Sequence, residues 1–357
     1  MKLPSQPLFS QPLWLVGFRP FFLLACLAGL ALPAIWALIF SGVLPAPAGR
    51  FSPVQWHAHE MFFGFGWAVM GGFLLTATKN WVQVRGYHGP ALVGLVAAWL
   101  FERVGMGFGG GWPAPLFQVS NLAFLAAKLL ILDAAQFAAG TTMALGLFRL
   151  AFLVMLERTL TQFMKGVFQV DIRRDPRLDG GIKFAALALV FQAWLPAWLE
   201  VSLLVCGAAL LLVRFAGWRP GLAFTRTELA VMYAGYLAIV AQLLVEAAGR
   251  VAAPAWVGSV SVHLFTFGVM GLVIPPMLVR ISKGHTGRKV VFDAGDKALI
   301  WIMLAALVVR VLLPQWLPGA YLTWVNLAAF GWFLCFAILG LRMLPRLLRP
   351  RIDGREH

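Results

Sequence analysis

Long apolar stretches separated by short polar connections run through the whole chain, and their spacing predicts the architecture. The stretches are each about 20 residues long, the length at which a helix crosses a hydrocarbon core. They fall at 13–41, 56–78, 88–106, 114–133, 137–160, 181–197, 199–215, 226–248, 256–280, 293–313 and 319–344. Only Pro196 separates the sixth from the seventh. Lipid satisfies no backbone groups, so segments of this kind fold as helices. The short alternating segments of a β-barrel are absent. The pattern therefore predicts an all-α polytopic transmembrane helical bundle of about 11–12 spanning helices, forming a single integral membrane domain over 1–357. The longest polar connection is 164–181, and a short basic tail covers 345–357.

Composition removes the soluble alternatives. Of 357 residues, 61% are hydrophobic and 12% charged, with a mean hydropathy of +0.83, which no water-exposed globule sustains. The net charge of +15 suggests nucleic acid at first sight, but the basic residues lie mainly in the connections and read as topology signals. Lys165, Arg173, Arg174, Arg177 and Lys183 form one group, and Arg214, Arg219 and Arg226 a second. Arg280, Lys283, Arg288 and Lys289 form a third, and Arg346, Arg349, Arg351 and Arg355 a fourth. All four are expected on the cytoplasmic side, which makes the C-terminus cytoplasmic. Lys2 and Arg19, then Lys79 and Arg85, place the N-terminus on that side too. This choice requires an odd number of crossings between Trp112 and Lys165, where the apolar pattern offers two. Cys26, Cys206 and Cys335 sit in spans without a CxxC partner and read as packing residues. The first apolar run is too long for a signal-peptide core and is expected to be a retained helix.

Against this background six histidines carry the candidate chemistry. His57 and His59 open the second span in Trp56-His57-Ala58-His59-Glu60-Met61-Phe62-Phe63-Gly64-Phe65-Gly66. At about 100° per residue the two rings point about 200° apart, so a regular helix cannot turn both onto one ligand. His57 shares its face with Met61 and Gly64, and His59 with Phe62, Phe63 and Gly66. Either set suits a flat apolar cofactor: imidazole binds iron, glycine lets a ring approach, and aromatics pack its faces. His with Met also suits copper, and Glu60 is placed to orient an imidazole. The competing reading makes both histidines interfacial residues beside a Trp belt.

His263 lies inside a span and shares a face with Phe267, Met270 and Gly271. Ionisable groups at such depth are usually functional, the alternative being a hydrogen-bonded core histidine. Pro275 and Pro276 should kink this helix near its end. Beyond it, the turn Gly284-His285-Thr286-Gly287 has backbone N–H groups that, with Arg280, Lys283 and Arg288, suit an anion such as a propionate or phosphate; a plain basic loop is the alternative. His88 reads as interfacial and His357 as tail. The remaining span charges are Glu102-Arg103, Lys128 with Asp133, Glu157-Arg158, Arg310, and Glu246 with Arg250, an i, i+4 pair expected to bond internally. No Walker, dinucleotide-binding, GxSxG or HExxH pattern occurs in a credible context.

The order of these pieces carries a resemblance: Phe18-Arg19-Pro20-Phe21-Phe22, then Trp56-His57-x-His59-Glu60-Met61-x-x-Gly64, then the His263 helix leading into Ser282-Lys283-Gly284-His285-Thr286-Gly287-Arg288. Together they resemble the NnrS family of bacterial membrane proteins, from Phe18 to about Arg288. The resemblance implies a haem- and copper-containing protein of the inner (cytoplasmic) membrane that takes part in the response to nitric oxide and nitrosative stress. By it, His57, His59, His263 and His285 become candidate metal ligands and Glu60 a near-ligand, while Arg19 and Arg288 become candidate anchors for haem propionates. The chain departs from the family pattern in showing about eleven spans rather than about twelve. It also reads Glu157-Arg158-Thr159-Leu160-Thr161-Gln162-Phe163 where the family has Gly-Arg before a Pro-x-Phe-like run. The implied partners are the lipid bilayer, nitric oxide or a nitrosyl-metal species, and a respiratory-chain protein; nucleic acid is not among them. Enzymatic turnover is left open. The alternative function is a transporter of metal, haem or a small molecule, using a His/Met site at the membrane midplane.

Overall fold

Apolar runs bounded by charged connections become helices, and the computed structural model of the chain describes residues 10–47, 51–81, 83–110, 112–172 and 174–354. Lys2, Arg173, Arg355 and His357 lie outside the described residues. Among the described residues there is no strand, and nine helices are long and apolar enough to cross a membrane. In chain order the helices are α1 (Phe18–Phe40), α2 (Pro53–Thr78), α3 (Gly89–Phe108), the short α4 (Leu125–Leu132), α5 (Phe137–Phe168), the short α6 (Pro176–Ala188), α7 (Ala197–Gly217), α8 (Thr227–Val251), α9 (Val260–Gly284), α10 (Ala294–Trp316) and α11 (Pro318–Leu347).

Two of the eleven expected spans are not long helices. Over 114–133 the chain makes two 3-10 turns, Ala114–Phe117 and Leu122–Phe124, before the eight residues of α4. Pro113 and Pro115 interrupt helix formation, and Asn121 is left-handed at φ 41°. Over 181–197, α6 starts earlier, at Pro176, with Asp175 capping Arg177 and Leu178, and passes into a 3-10 stretch over Leu189–Trp194.

The chain divides into two units: 1–135 with 277–299 and 329–357, and 136–276 with 300–328, so the boundary falls inside α9, α10 and α11. In the first unit, α1 packs on α2 through small residues. A Cβ on Gly29 would stand 2.8–2.9 Å from Phe336 and Phe65, so only glycine lets these rings reach α1. Thr76 of α2 closes the start of α1, its hydroxyl accepting from the Phe18 N–H at 3.0 Å and donating to Gly72 O. Arg19 is fully buried and donates through Nη1 to Leu347 O at 2.6 Å and Arg349 O at 2.8 Å, capping the end of α11. Ser52 and Gln55 form a capping box at the start of α2, and Gln55 also donates to Ile131 O at the end of α4.

In the second unit charges pair across helices. Arg149 meets Glu246 at 3.0 Å, Arg250 meets Glu200 at 2.9 Å, and Arg214 meets Asp179 at 3.2 Å. The expected Glu246–Arg250 bond is therefore absent. Each residue finds a partner on another helix, because a bond made between helices contributes to packing as well as to charge balance.

Candidate functional site: a buried ionisable cluster around His59

The cluster starts from a break in helix geometry. After the α-helical Pro53–His59, α2 widens into a π-helical turn over Glu60–Gly66 before resuming at Trp67. Such turns interrupt the i→i−4 ladder and recur at functional sites. Trp99 of α3 donates its indole N–H to Gly64 O inside the turn, at 3.1 Å. Gly64 has no Cβ; one there would stand 2.7 Å from Arg103 Nη1, so glycine makes room for a guanidinium against the helix.

His59, Glu60, Glu102 and Lys128 have side chains 0–3% exposed. His59 Nδ1 meets Glu60 Oε1 at 3.0 Å, and Nε2 meets Gln118 Oε1 at 2.8 Å, with Glu102 Oε1 3.9 Å away. Arg103 lies 3.0 Å from Glu60 and also bonds Glu102. Glu102 Oε2 accepts from Lys128 Nζ and Ser120 Oγ at 2.7 Å each, and from the Ser120 N–H at 3.1 Å. Two carboxylates thus balance two cations around one imidazole, and the polar residues that break the expected 114–133 span are those that complete the cluster.

His57 points elsewhere, as helical geometry requires. It is half-buried and stacks on Trp36 of α1, with ring centroids 4.3 Å apart and planes 14° apart. His263, in the second unit, has Nδ1 2.8 Å from Ser259 O and Nε2 3.1 Å from Arg310 Nη2. Arg310 also donates to the Tyr321 hydroxyl at 3.3 Å. A carbonyl only accepts and a guanidinium only donates, so His263 is the neutral Nδ1–H tautomer. His59 faces the reverse: Gln118 turns its amide N–H to Ala114 O and Met106 Sδ, so its oxygen faces His59, and both ring nitrogens meet acceptors.

His285 stands beside the first unit's buried arginine. Its ring lies 5.5 Å from Phe18, its carbonyl accepts from Arg351 Nη1 at 3.1 Å, and Arg288 and Arg351 are close enough to Arg19 to repel it. The two expected propionate anchors and His285 therefore share one corner. The turn itself does not offer its backbone to an anion. The N–H groups of His285, Thr286, Gly287 and Arg288 bond back to the carbonyls of Ile281, Lys283, Gly284 and Lys283, closing the end of α9 with Gly287 at φ 78°. Lys283 is held by Asp296 and Val291 O.

The donor chemistry bears on haem and copper. Among the described residues, no three of His, Cys, Asp and Glu converge as a metal cage. Both His59 ring nitrogens are taken by Glu60 and Gln118, and the His263 lone pair is taken by Arg310, so neither ring as placed suits a metal ion. His57 and His285 lie instead against aromatic faces, the setting that a flat group shares. Sequence reasoning had marked Glu102, Arg103, Lys128 and Arg310 as charges in or near spans but assigned none to the histidines; Gln118, Ser120 and Tyr321 gave no signal.

The two units also share a pattern. His59, Phe63 and Gly64 of α2 have the spacing of His263, Phe267 and Gly268 of α9. A π-helical turn covers Thr266–Gly271, as one covers Glu60–Gly66, and in each unit the next helix supplies the arginine, Arg103 from α3 and Arg310 from α10. No curated protein matches the chain. A family model described as NnrS protein matches residues 12–134 and 116–351, which takes in the His59 cluster, the His263 pair and the His285 corner, and the chain belongs to the NnrS family.

Proposed function

We propose that this multi-pass membrane protein serves the bacterial response to nitric oxide and nitrosative stress from the inner membrane, with its C-terminus cytoplasmic and its chemistry centred on His59. The observation that carries the reading is the buried, charge-balanced cluster of His59, Glu60, Glu102, Arg103 and Lys128, an expensive arrangement inside membrane spans. Such a cluster can hold and orient the imidazole between the Glu60 carboxylate and the Gln118 amide, with the Glu102 carboxylate 3.9 Å away and the two cations balancing both acids.

Haem and copper belong to the same proposal. Bound haem or copper supplies the metal to which nitric oxide coordinates. His57, stacked on Trp36, and His285, beside Phe18, are the better candidate ligands; His59 and His263 are better suited to hydrogen bonding. The purified protein's optical spectrum and metal content test this, with His57→Ala, His59→Ala, His263→Ala and His285→Ala alongside. Haem is expected to fall in the His57 or His285 variant and to persist in the His263 variant. Absence of haem from both purified and haem-reconstituted protein would falsify the haem reading.

The recurrence of His-x-x-x-Phe-Gly, a π-helical turn and an arginine from the following helix favours a second reading, a transporter built from internal repeats with interrupted helices. Changed nitric oxide tolerance in cells, together with metal-free protein that moves a metal or haem across vesicles, would select it over the first.

A further inference from the structure

The corner where α1 begins and α9 and α11 end contains more cationic groups than its own acids neutralise. Among the described residues three acids are present and each is taken: Asp353 pairs with Arg351, Asp293 with Arg342, and Asp296 with Lys283 and Arg342. Arg288 and Arg346 make no ion pair within 4.0 Å among the described residues, and each has an Nη1 group out of contact with solvent and without a hydrogen-bond acceptor there. Arg346 feels Asp296 and Asp293, acids already shared with Arg342 and Lys283, and the repulsion of Arg342 and Arg288, while Arg19 is repelled by Arg351 and Arg288. A guanidinium N–H shut off from solvent and without an acceptor is costly, so two in one corner with an excess of cations call for an anion. The ends of three spanning helices place the corner at the depth where lipid headgroups lie.

We propose that Arg288 and Arg346, backed by the buried Arg19, bind a phosphate group, supplied by an anionic phospholipid headgroup or by free phosphate. Guanidinium forks match phosphate oxygens in pairs, and a second cation at the same corner multiplies the attraction. The inference rests on the two orphaned donors and competes with the haem reading for Arg19 and Arg288, the expected propionate anchors.

The full chain would be placed in nanodiscs of phosphatidylcholine with and without phosphatidylglycerol, and retained lipid counted by native mass spectrometry. Thermal unfolding of wild type in delipidated detergent would be followed as inorganic phosphate is added. Wild type is expected to retain phosphatidylglycerol selectively. Each of Arg288→Gln and Arg346→Gln should weaken that preference about five-fold, the equivalent of one lost hydrogen bond of about 1 kcal/mol. Arg349→Gln, an exposed neighbour, should leave it unchanged. Stabilisation by inorganic phosphate without lipid selectivity would assign free phosphate as the source. The proposal is overturned if wild type shows neither effect, a result that needs no variant to fold. It is overturned too if Arg349→Gln loses as much as the other two, or if the double variant loses haem while lipid retention is unchanged, which would assign the guanidiniums to propionates.

Discussion

His59 and His263 occupy matching places in the two units, yet their hydrogen bonds give them opposite characters. His59 lies between a carboxylate and an amide oxygen, whereas His263 accepts from a guanidinium. The cluster around His59 is sensitive to the loss of any one charge. Glu102→Gln should destabilise the protein by about 3–5 kcal/mol, because Lys128 would remain buried without its carboxylate. Glu102→Gln with Lys128→Met should recover most of that loss in thermal unfolding in detergent; a double variant no better than the single would refute the pairing. Outside the spans, the Asp293 carboxyl is held below its ordinary range first by the Asp296 backbone N–H, then by Arg342. Its contribution is complete above the unfolded carboxyl's pKa and is lost as pH falls through the lower folded value. Stability measured between about pH 5 and pH 2 should therefore fall less in Asp293→Asn than in wild type.

At the scale of elements, π-helical turns and close helix contacts position the chemistry. The turn in α2 opens Gly64 O to Trp99 and the Gly64 surface to Arg103. Close approach also joins α5 to the 3-10 stretch after α6: a Cβ on Gly146 would lie 2.7 Å from the Val190 Cα, a backbone atom that cannot rotate away. Gly146→Ala should lower stability by about 1–3 kcal/mol, as overpacking does. An unchanged melting temperature would show that the two segments can separate at little cost. The same 3-10 stretch lengthens α6. Thirteen α-helical residues and six 3-10 residues together extend about 30 Å, enough for a hydrocarbon core.

For the whole molecule this bears on topology. One long apolar helix, α5, lies between Trp112 and Lys165, the odd number that the basic connections require. If α6 with its 3-10 extension crosses as well, the positive-inside pattern expects the four basic groups on one side. Reporter fusions should then give the same side for the 164–181 connection, the 217–226 connection, the 284–293 connection and the tail; opposite sides for the first two would exclude α6 as a span.

Much of this was written in the order of residues alone. Apolar length set the helical class, because a membrane leaves backbone groups no other partner. The angular offset of His57 and His59 already separated their surroundings, whereas apolar length set the second span at 56, past the Ser52–Gln55 capping box that starts α2. The choice of partners was not legible. Glu246 and Arg250 share a helix face but bond to other helices, and Lys128 reaches Glu102 rather than Asp133. Sequence distance ranks neighbours along one helix, whereas a buried charge must be met by whatever polar group packing brings beside it. Only the tertiary structure could place Gln118 and Ser120 at His59 and Arg310 at His263. Only it could leave Arg288 and Arg346 in one corner, each with a donor to spare.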